Sequence, residues 1–191
     1  MKPFTPDVPI STDRLLLRWL DPKTDVDAMH AYLSQTEVCR YIPQEPHSRE
    51  KVVERLARPI MGKRSLEESG DGQALFFAVV LREEGRMVGD VMLAWHDDTN
   101  AEIGYVFNPD YHGRGYATEA SEALLGLAFD GLGVHRVTAR IDERNPASAA
   151  VLRKIGMRQE AVLVENEWFK GEWSTEVDFA ILDREWRARR G

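Results

Sequence analysis

Apolar and polar positions change rhythm along this chain, and each change marks an element. Thr12 to Arg18 (TDRLLLR) is a short apolar run set between charges and reads as a first strand. From Asp25 to Gln35, Val26, Met29 and Leu33 fall on one helical face, predicting a short helix. Ser48 to Met61 repeats that spacing with Val52, Leu56 and Ile60, and Ser48 stands at the N-cap. Leu75–Leu81 and Met87–Trp95 are predicted strands joined by the turn Glu83-Glu84-Gly85-Arg86. Ala101–Phe107 is the next strand; Ala117–Asp130 follows as a helix on Ala117, Ala120, Leu124 and Ala128, and Arg136–Ile141 is a further strand. Arg158–Phe169 and Trp173–Leu182 form a closing hairpin about Lys170-Gly171. Residues 1–9, with prolines at 3, 6 and 9, read as an arm, and Gly62–Gln73 as a polar, mobile connection. No repeat or linker divides residues 1–191, which predicts one domain.

Composition narrows the classes. With 191 residues and 43% hydrophobic content the chain can bury a core and is not a disordered segment. No apolar run approaches the ~18 residues of a membrane span, and no signal-peptide core opens the chain. The lone Cys39 permits neither an internal disulfide nor a metal cluster, so a reducing cytoplasm and no metal are expected. A formal charge of −7 disfavours nucleic acid as a partner and mildly favours cationic substrates. A homodimer is admitted by the sequence, and no membrane partner is expected.

The chemistry concentrates in Ala101–Ala120, AEIGYVFNPDYHGRGYATEA: an apolar run, a proline turn, a glycine pair and a helix start. Gly113 and Gly115 remove side chains that would keep a ligand from the backbone. The first amides of the following helix have no intrahelical partner and sit at its positive end, so the corner suits a phosphate. Arg114 adds a mobile positive charge. A P-loop reading fails, because Tyr116 and Ala117 stand where Lys and Ser or Thr are needed. A dinucleotide fingerprint lacks its third glycine at Thr118, although Asp142 offers an acidic residue further on.

The run from His112 to Ala117 resembles the pyrophosphate-binding motif of the GNAT superfamily of acyl-CoA N-acyltransferases, Gln/Arg-x-x-Gly-x-Gly/Ala. His112 departs from the usual first residue, a position expected to contribute mainly a backbone amide. The continuation Gly-Tyr-Ala-Thr-Glu-Ala, the Thr-x-Arg-Leu-x-Leu-Arg opening and the Glu185-Trp186 finish resemble its RimJ/RimL-type branch. A second motif of that branch, Asn-x-x-Ser-x-x-x-Leu-x-Lys-x-Gly, matches Asn145 to Gly156. In it Asn145 suits an N-cap, Pro146 the first helical position and Gly156 the stop.

The resemblance implies a mixed α/β fold of the GNAT type. Its sheet would be mostly antiparallel, with about seven strands and helices on both faces. It implies acetyl-CoA as donor, an amine as acceptor (a protein N-terminus or a small molecule) and no metal. Cofactor contacts then fall on Val106, Phe107, His112, Gly113, Arg114, Gly115, Tyr116, Ala117, Thr118, Asn145 and Ser148. Glu167 matches the general base and Ser148 the acid to the coenzyme A thiolate, with Glu102 as reserve base. Trp19, Tyr41, Phe76 and Trp95 are candidate acceptor-pocket residues. A GNAT-fold module that binds coenzyme A without turnover is the other function class, and a succinyl donor the other acyl group.

Overall fold

The computed structural model describes residues 3–67, 70 and 72–191. One sheet of eight strands organises it, in the order β1-β2-β3-β4-β5-β6-β8-β7. The strands are β1 (Ile10–Ser11), β2 (Leu15–Trp19), β3 (Ala74–Leu81), β4 (Met87–Asp97), β5 (Asn100–Phe107), β6 (Arg136–Asp142), β7 (Arg158–Phe169) and β8 (Glu172–Leu182). The two-residue β1 takes the count one beyond the expected seven. Every neighbouring pair is antiparallel except β5–β6. That parallel pair needs a crossover, supplied by α4 (Tyr116–Gly126).

Both faces of the sheet are covered along its first half. β3 therefore reads as an unbroken apolar run, ALFFAVVL, rather than as an alternation. Its Leu75, Phe77, Val79 and Leu81 join the main core with Leu15, Leu17, Trp95, Leu124, Phe129 and Phe179. Its Ala78 and Val80 join a second core beneath α1 (Val26–Leu33) and α3 (Arg49–Leu56), whose Met29, Tyr32, Leu33, Val52 and Leu56 are buried there. α5 (Pro146–Lys154) contributes Ala149 and Leu152 to the main core, and α6 (Asp183–Arg190) contributes Trp186.

Three predicted helices break where local chemistry interrupts them. The first stops at Leu33, because Gln35 is extended (ψ 127°); four residues, α2 (Thr36–Cys39), follow. The second stops at Leu56: Pro59 has no N–H to continue it, and Arg58 before it is extended, so a 3₁₀ turn spans Pro59–Gly62. The third ends at Gly126 and gives way to a π-helical segment, Leu127–Leu132, closed by left-handed Gly133. The N-terminal arm lies on the body. Phe4 exchanges backbone hydrogen bonds with Leu66 (2.8 and 2.9 Å), and its ring occupies the space a Cβ at Gly131 would need. Of the polar connection expected to be mobile, Glu68, Ser69 and Asp71 lie outside the described residues.

Candidate active site

β5 and β6 pair over three positions only, Asn100, Ala101 and Glu102 against Arg136, Val137 and Thr138. Beyond Glu102 the strands part. β5 keeps its bonds to β4 as far as Phe107, so its other edge faces the gap with no strand partner among the described residues. The gap opens into a cleft of about 480 Å³. It is lined by Gly104–Phe107 and Ala139–Asp142, by the glycine loop, by α5 and by Val38, Tyr41 and Ile42.

The glycine loop is fixed by local bonds. Asn108 Oδ1 accepts from the Asp110 amide (3.1 Å), and a 3₁₀ turn carries the chain to His112. Gly113 (φ 74°) and Gly115 (φ 81°) hold left-handed conformations that disfavour any side chain. Gly115 caps α4 without a side-chain bond, so the first-turn amides remain available, and Tyr116, Ala117 and Thr118 line the cleft. His112 differs from its expected role. Its amide is taken by the Pro109 carbonyl (2.9 Å) and its ring Nε2 by that of Phe107 (3.2 Å). It lines the cleft with its side chain instead. Arg114 turns away, over the Tyr111 ring and toward the Asp110 carbonyl (3.3 Å).

α5 starts as its sequence predicts. Asn145 Oδ1 accepts from the Ser148 amide (3.1 Å), Pro146 opens the first turn, and Gly156 (φ 88°) follows its end. The turn before it rests on Asp142, which is buried and accepts from Arg144 Nε and Nη2 (2.9 and 2.7 Å) and from Ser174 Oγ (2.7 Å). Burial alone would push the Asp142 carboxyl up; the hydrogen bonds from Arg144 and Ser174 outweigh it and hold the group below the ordinary carboxylate range. Ser148 is half-buried and lines the cleft.

Tyr105 had no assigned role in the sequence reading. Its hydroxyl donates to the Ser148 carbonyl (3.1 Å), tying β5 to α5 across the cleft. Burial pushes the phenol up to about 12, so it stays protonated at any physiological pH. The signal was available: Ile103, Tyr105 and Phe107 share the inward face of β5, and a hydroxyl there needs a partner.

These features fit a phosphate-bearing acyl carrier. Gly113 leaves open space where a side chain would stand, unpaired amides face the cleft, and the parted strands leave a slot for an extended arm. The donors suit an anion rather than a metal, and no group of His, Cys, Asp and Glu with metal-site geometry occurs among the described residues.

Residues 14–158 match the acetyltransferase (GNAT) domain family model. The chain belongs to the GNAT acetyltransferase family. It is 35% identical over 178 residues to the uncharacterized N-acetyltransferase YnaD of Bacillus subtilis (strain 168), covering 93% of this chain and 98% of that one. A GNAT-family acetyltransferase from Bacillus anthracis has the same fold at TM-score 0.81 and 33% identity, over 92% of this chain and 99% of that one. A Vibrio cholerae spermidine N-acetyltransferase, solved with CoA and spermine, shares the fold at TM-score 0.75 and 21% identity, over 92% and 99% of the two chains. The protein is therefore an N-acetyltransferase with the mixed, mostly antiparallel GNAT sheet, which sets aside a non-catalytic module and the dinucleotide alternative. No helix among the described residues is long and apolar enough to cross a membrane.

The GNAT fold brings together Val106, Phe107, His112, Gly113, Gly115, Tyr116, Ala117, Thr118, Asn145, Ser148 and Tyr41, all on the cleft. Other candidates lie elsewhere. Glu167 is exposed on β7, the sheet's free edge strand, and Arg114, although in the glycine loop, is exposed and absent from the cleft lining. Glu102 accepts from Arg140 (3.0 Å) and lies 3.0 Å from His96 Nε2, in a separate depression that Arg140 divides from the cleft. Trp95 is fully enclosed in the main core. Trp19 stacks on Phe77 with centroids 4.8 Å apart, and Phe76 packs on the second core. None of these three reaches the cleft wall.

Proposed function

We propose that this enzyme transfers the acetyl group of acetyl-CoA directly to a primary amine, with an α-amine as the preferred acceptor. The parted β5–β6 edge supports this reading, because the free edge of β5 and the glycine loop line one and the same cleft. Gly113, Gly115 and Ala117 amides would hold the pyrophosphate, and the pantetheine arm would lie along Val106 and Phe107. The bound cofactor supplies the thioester; unpaired amides on the β5 edge offer a donor for the developing oxyanion. Ser148, on the cleft lining beside Tyr105, would donate a hydrogen bond to the departing sulfur.

The acceptor preference follows from the carboxylates. Neither Glu102 nor Glu167 opens into the cleft. Glu102 is the better placed as base, since it stands at the residue where β5 and β6 separate; a water would carry the proton to it. An indirectly placed base suits an amine that is partly neutral already. Reference values are about 7.7–8.0 for an α-amine and about 10.4 for lysine, so a lysine-like acceptor costs roughly 3–4 kcal/mol more to deprotonate. The RimJ/RimL-like opening and closing motifs agree with an N-terminal acceptor.

Release of free thiol from acetyl-CoA, measured with a dipeptide α-amine, a lysine side-chain amine and a polyamine at neutral pH, tests the reading. The α-amine should turn over fastest. Equal or faster turnover of the lysine-like amine would reject the preference, and no release with any amine would reject the reaction. Glu102→Gln should lower kcat/KM by about 10²–10⁴, the usual worth of an acid–base group, more at pH 7 than at pH 9. Wild-type rates in that variant and a loss in Glu167→Gln would return the base to Glu167.

A further inference from the structure

The opening motif Thr12-x-Arg14 has no place in the cleft, yet both side chains end on the phosphate loop and its helix. Thr12 Oγ1 and the Arg14 amide donate to Glu119 Oε1 (2.6 and 2.8 Å), and Arg14 Nε donates to Glu119 Oε2 (2.7 Å). The same guanidinium lies over the Tyr116 ring, 4.8 Å from its centroid, and its Nη1 donates to the Arg114 carbonyl (2.8 Å). Three contacts hold the guanidinium: the Glu119 carboxylate, the Tyr116 ring and the Arg114 carbonyl itself. Its bond to the last fixes which way that carbonyl points.

That carbonyl belongs to the peptide unit whose N–H is Gly115. In a trans peptide the C=O and N–H point in opposite directions. Arg14 lies outside the cleft and Gly115 lines it, so holding the carbonyl toward Arg14 turns the Gly115 N–H the other way, to the cleft side. The unit is otherwise easy to turn over. Gly115 sits at φ 81° between left-handed Gly113 and the helix, and glycine accepts either sign of φ at little cost. A flipped unit would withdraw a donor and present a carbonyl oxygen to a phosphate.

We propose that Arg14 is a positioning residue for the cofactor: it locks the Arg114–Gly115 peptide with its amide toward the pyrophosphate. The inference rests on acetyl-CoA being the donor. It also makes the opening motif and the glycine loop, about a hundred residues apart in sequence, parts of one device.

The test uses the full chain with two acyl donors, acetyl-CoA and acetyl-pantetheine, which lacks the phosphates, and calorimetric titration with CoA. Arg14→Gln should weaken CoA binding by about tenfold, the order of one hydrogen bond lost and one repulsive carbonyl gained. It should raise the KM for acetyl-CoA similarly, leaving kcat/KM for acetyl-pantetheine unchanged. Glu119→Gln retains acceptors for Thr12 and the Arg14 amide and leaves the Arg14 bond to the loop, so its CoA affinity should stay near wild type. Equal losses with both donors would overturn the proposal, as the mark of a general structural defect. Equal losses of CoA affinity in Arg14→Gln and Glu119→Gln would also overturn it, by assigning the effect to the ion pair. Unchanged CoA affinity in Arg14→Gln overturns it outright. Failure of wild type to bind CoA would instead sink the acetyl-CoA reading itself.

Discussion

Ser148 and Tyr105 meet on the cleft: the phenol donates to the Ser148 carbonyl, and the serine side chain lies within hydrogen-bond reach of the same phenol. Their variants should separate by pH. If Ser148 assists the departing thiolate, Ser148→Ala should show a kcat/KM deficit that shrinks above the thiol pKa, for which about 8.5 is a guide. The deficit should not depend on the acceptor's pKa; a flat profile, or one that follows the acceptor, would remove Ser148 from that role. Tyr105→Phe should behave otherwise. With its pKa pushed up to about 12 the phenol does not titrate in the assay range, so any change in kcat/KM should be independent of pH from 6 to 9. Loss of the buried bond should cost about 1 kcal/mol in a denaturant melt. The Asn145 cap and the glycine turns were legible because they depend on neighbours a few residues away. The inward-facing hydroxyl of Tyr105 was legible too, but its partner was not, since it lies 43 residues further on.

Among elements, the start of α5 and the start of α4 are held differently and should fail differently. α5 has a side-chain cap, so Asn145→Ala should cost about 1 kcal/mol of stability by leaving the Ser148 amide unpaired. α4 has none; its first turn is left open at the cleft. Gly115→Asp would place a strained side chain and a negative charge where a phosphate is proposed to sit. It should abolish CoA binding in calorimetry while leaving the far-UV spectrum unchanged. Unchanged affinity would take the loop out of the site. The caps, glycine turns and strand runs could be read from sequence because they are local. The break at Gln35 and the π-helical turn could not: Val26 to Leu33 and Ala120 to Ala128 keep helical spacing right up to each interruption.

For the molecule as a whole, the second core contains a carboxylate. Tyr32 donates to Asp90 (2.5 Å), both fully enclosed between α1 and β4. Burial pushes the Asp90 carboxyl above its ordinary value. A raised folded-state value means the contribution to stability is complete below the unfolded value, about 3.9, and is lost as pH rises through the folded value. Asp90→Asn keeps an acceptor for Tyr32 and cannot ionise. The variant should therefore gain on wild type as pH rises, so the difference in melting temperature should widen between pH 4 and pH 7. A constant difference would mean that Asp90 does not carry this cost. In the main core, Trp95→Ala should cost about 3–5 kcal/mol, with the cavity it leaves as the cause.

The sequence by itself determined the succession of strands and helices, the glycine corner and the start of α5, and through two ordered motifs the family. These depend on periodicity, backbone freedom and capping, which act over a turn or two of chain. Tertiary structure alone decided which side chains meet. Pairing put Trp95 inward and left Phe76 on the opposite face of the sheet, out of reach of the cleft. The closing hairpin joined the sheet through β8, which left Glu167 on the outer strand β7. The parting of β5 from β6 after Glu102 made the cleft, because only a strand that loses its partner leaves backbone groups free for a ligand. Arg14 reached the loop by the fold of β2 against α4, a contact that no spacing along the chain encodes.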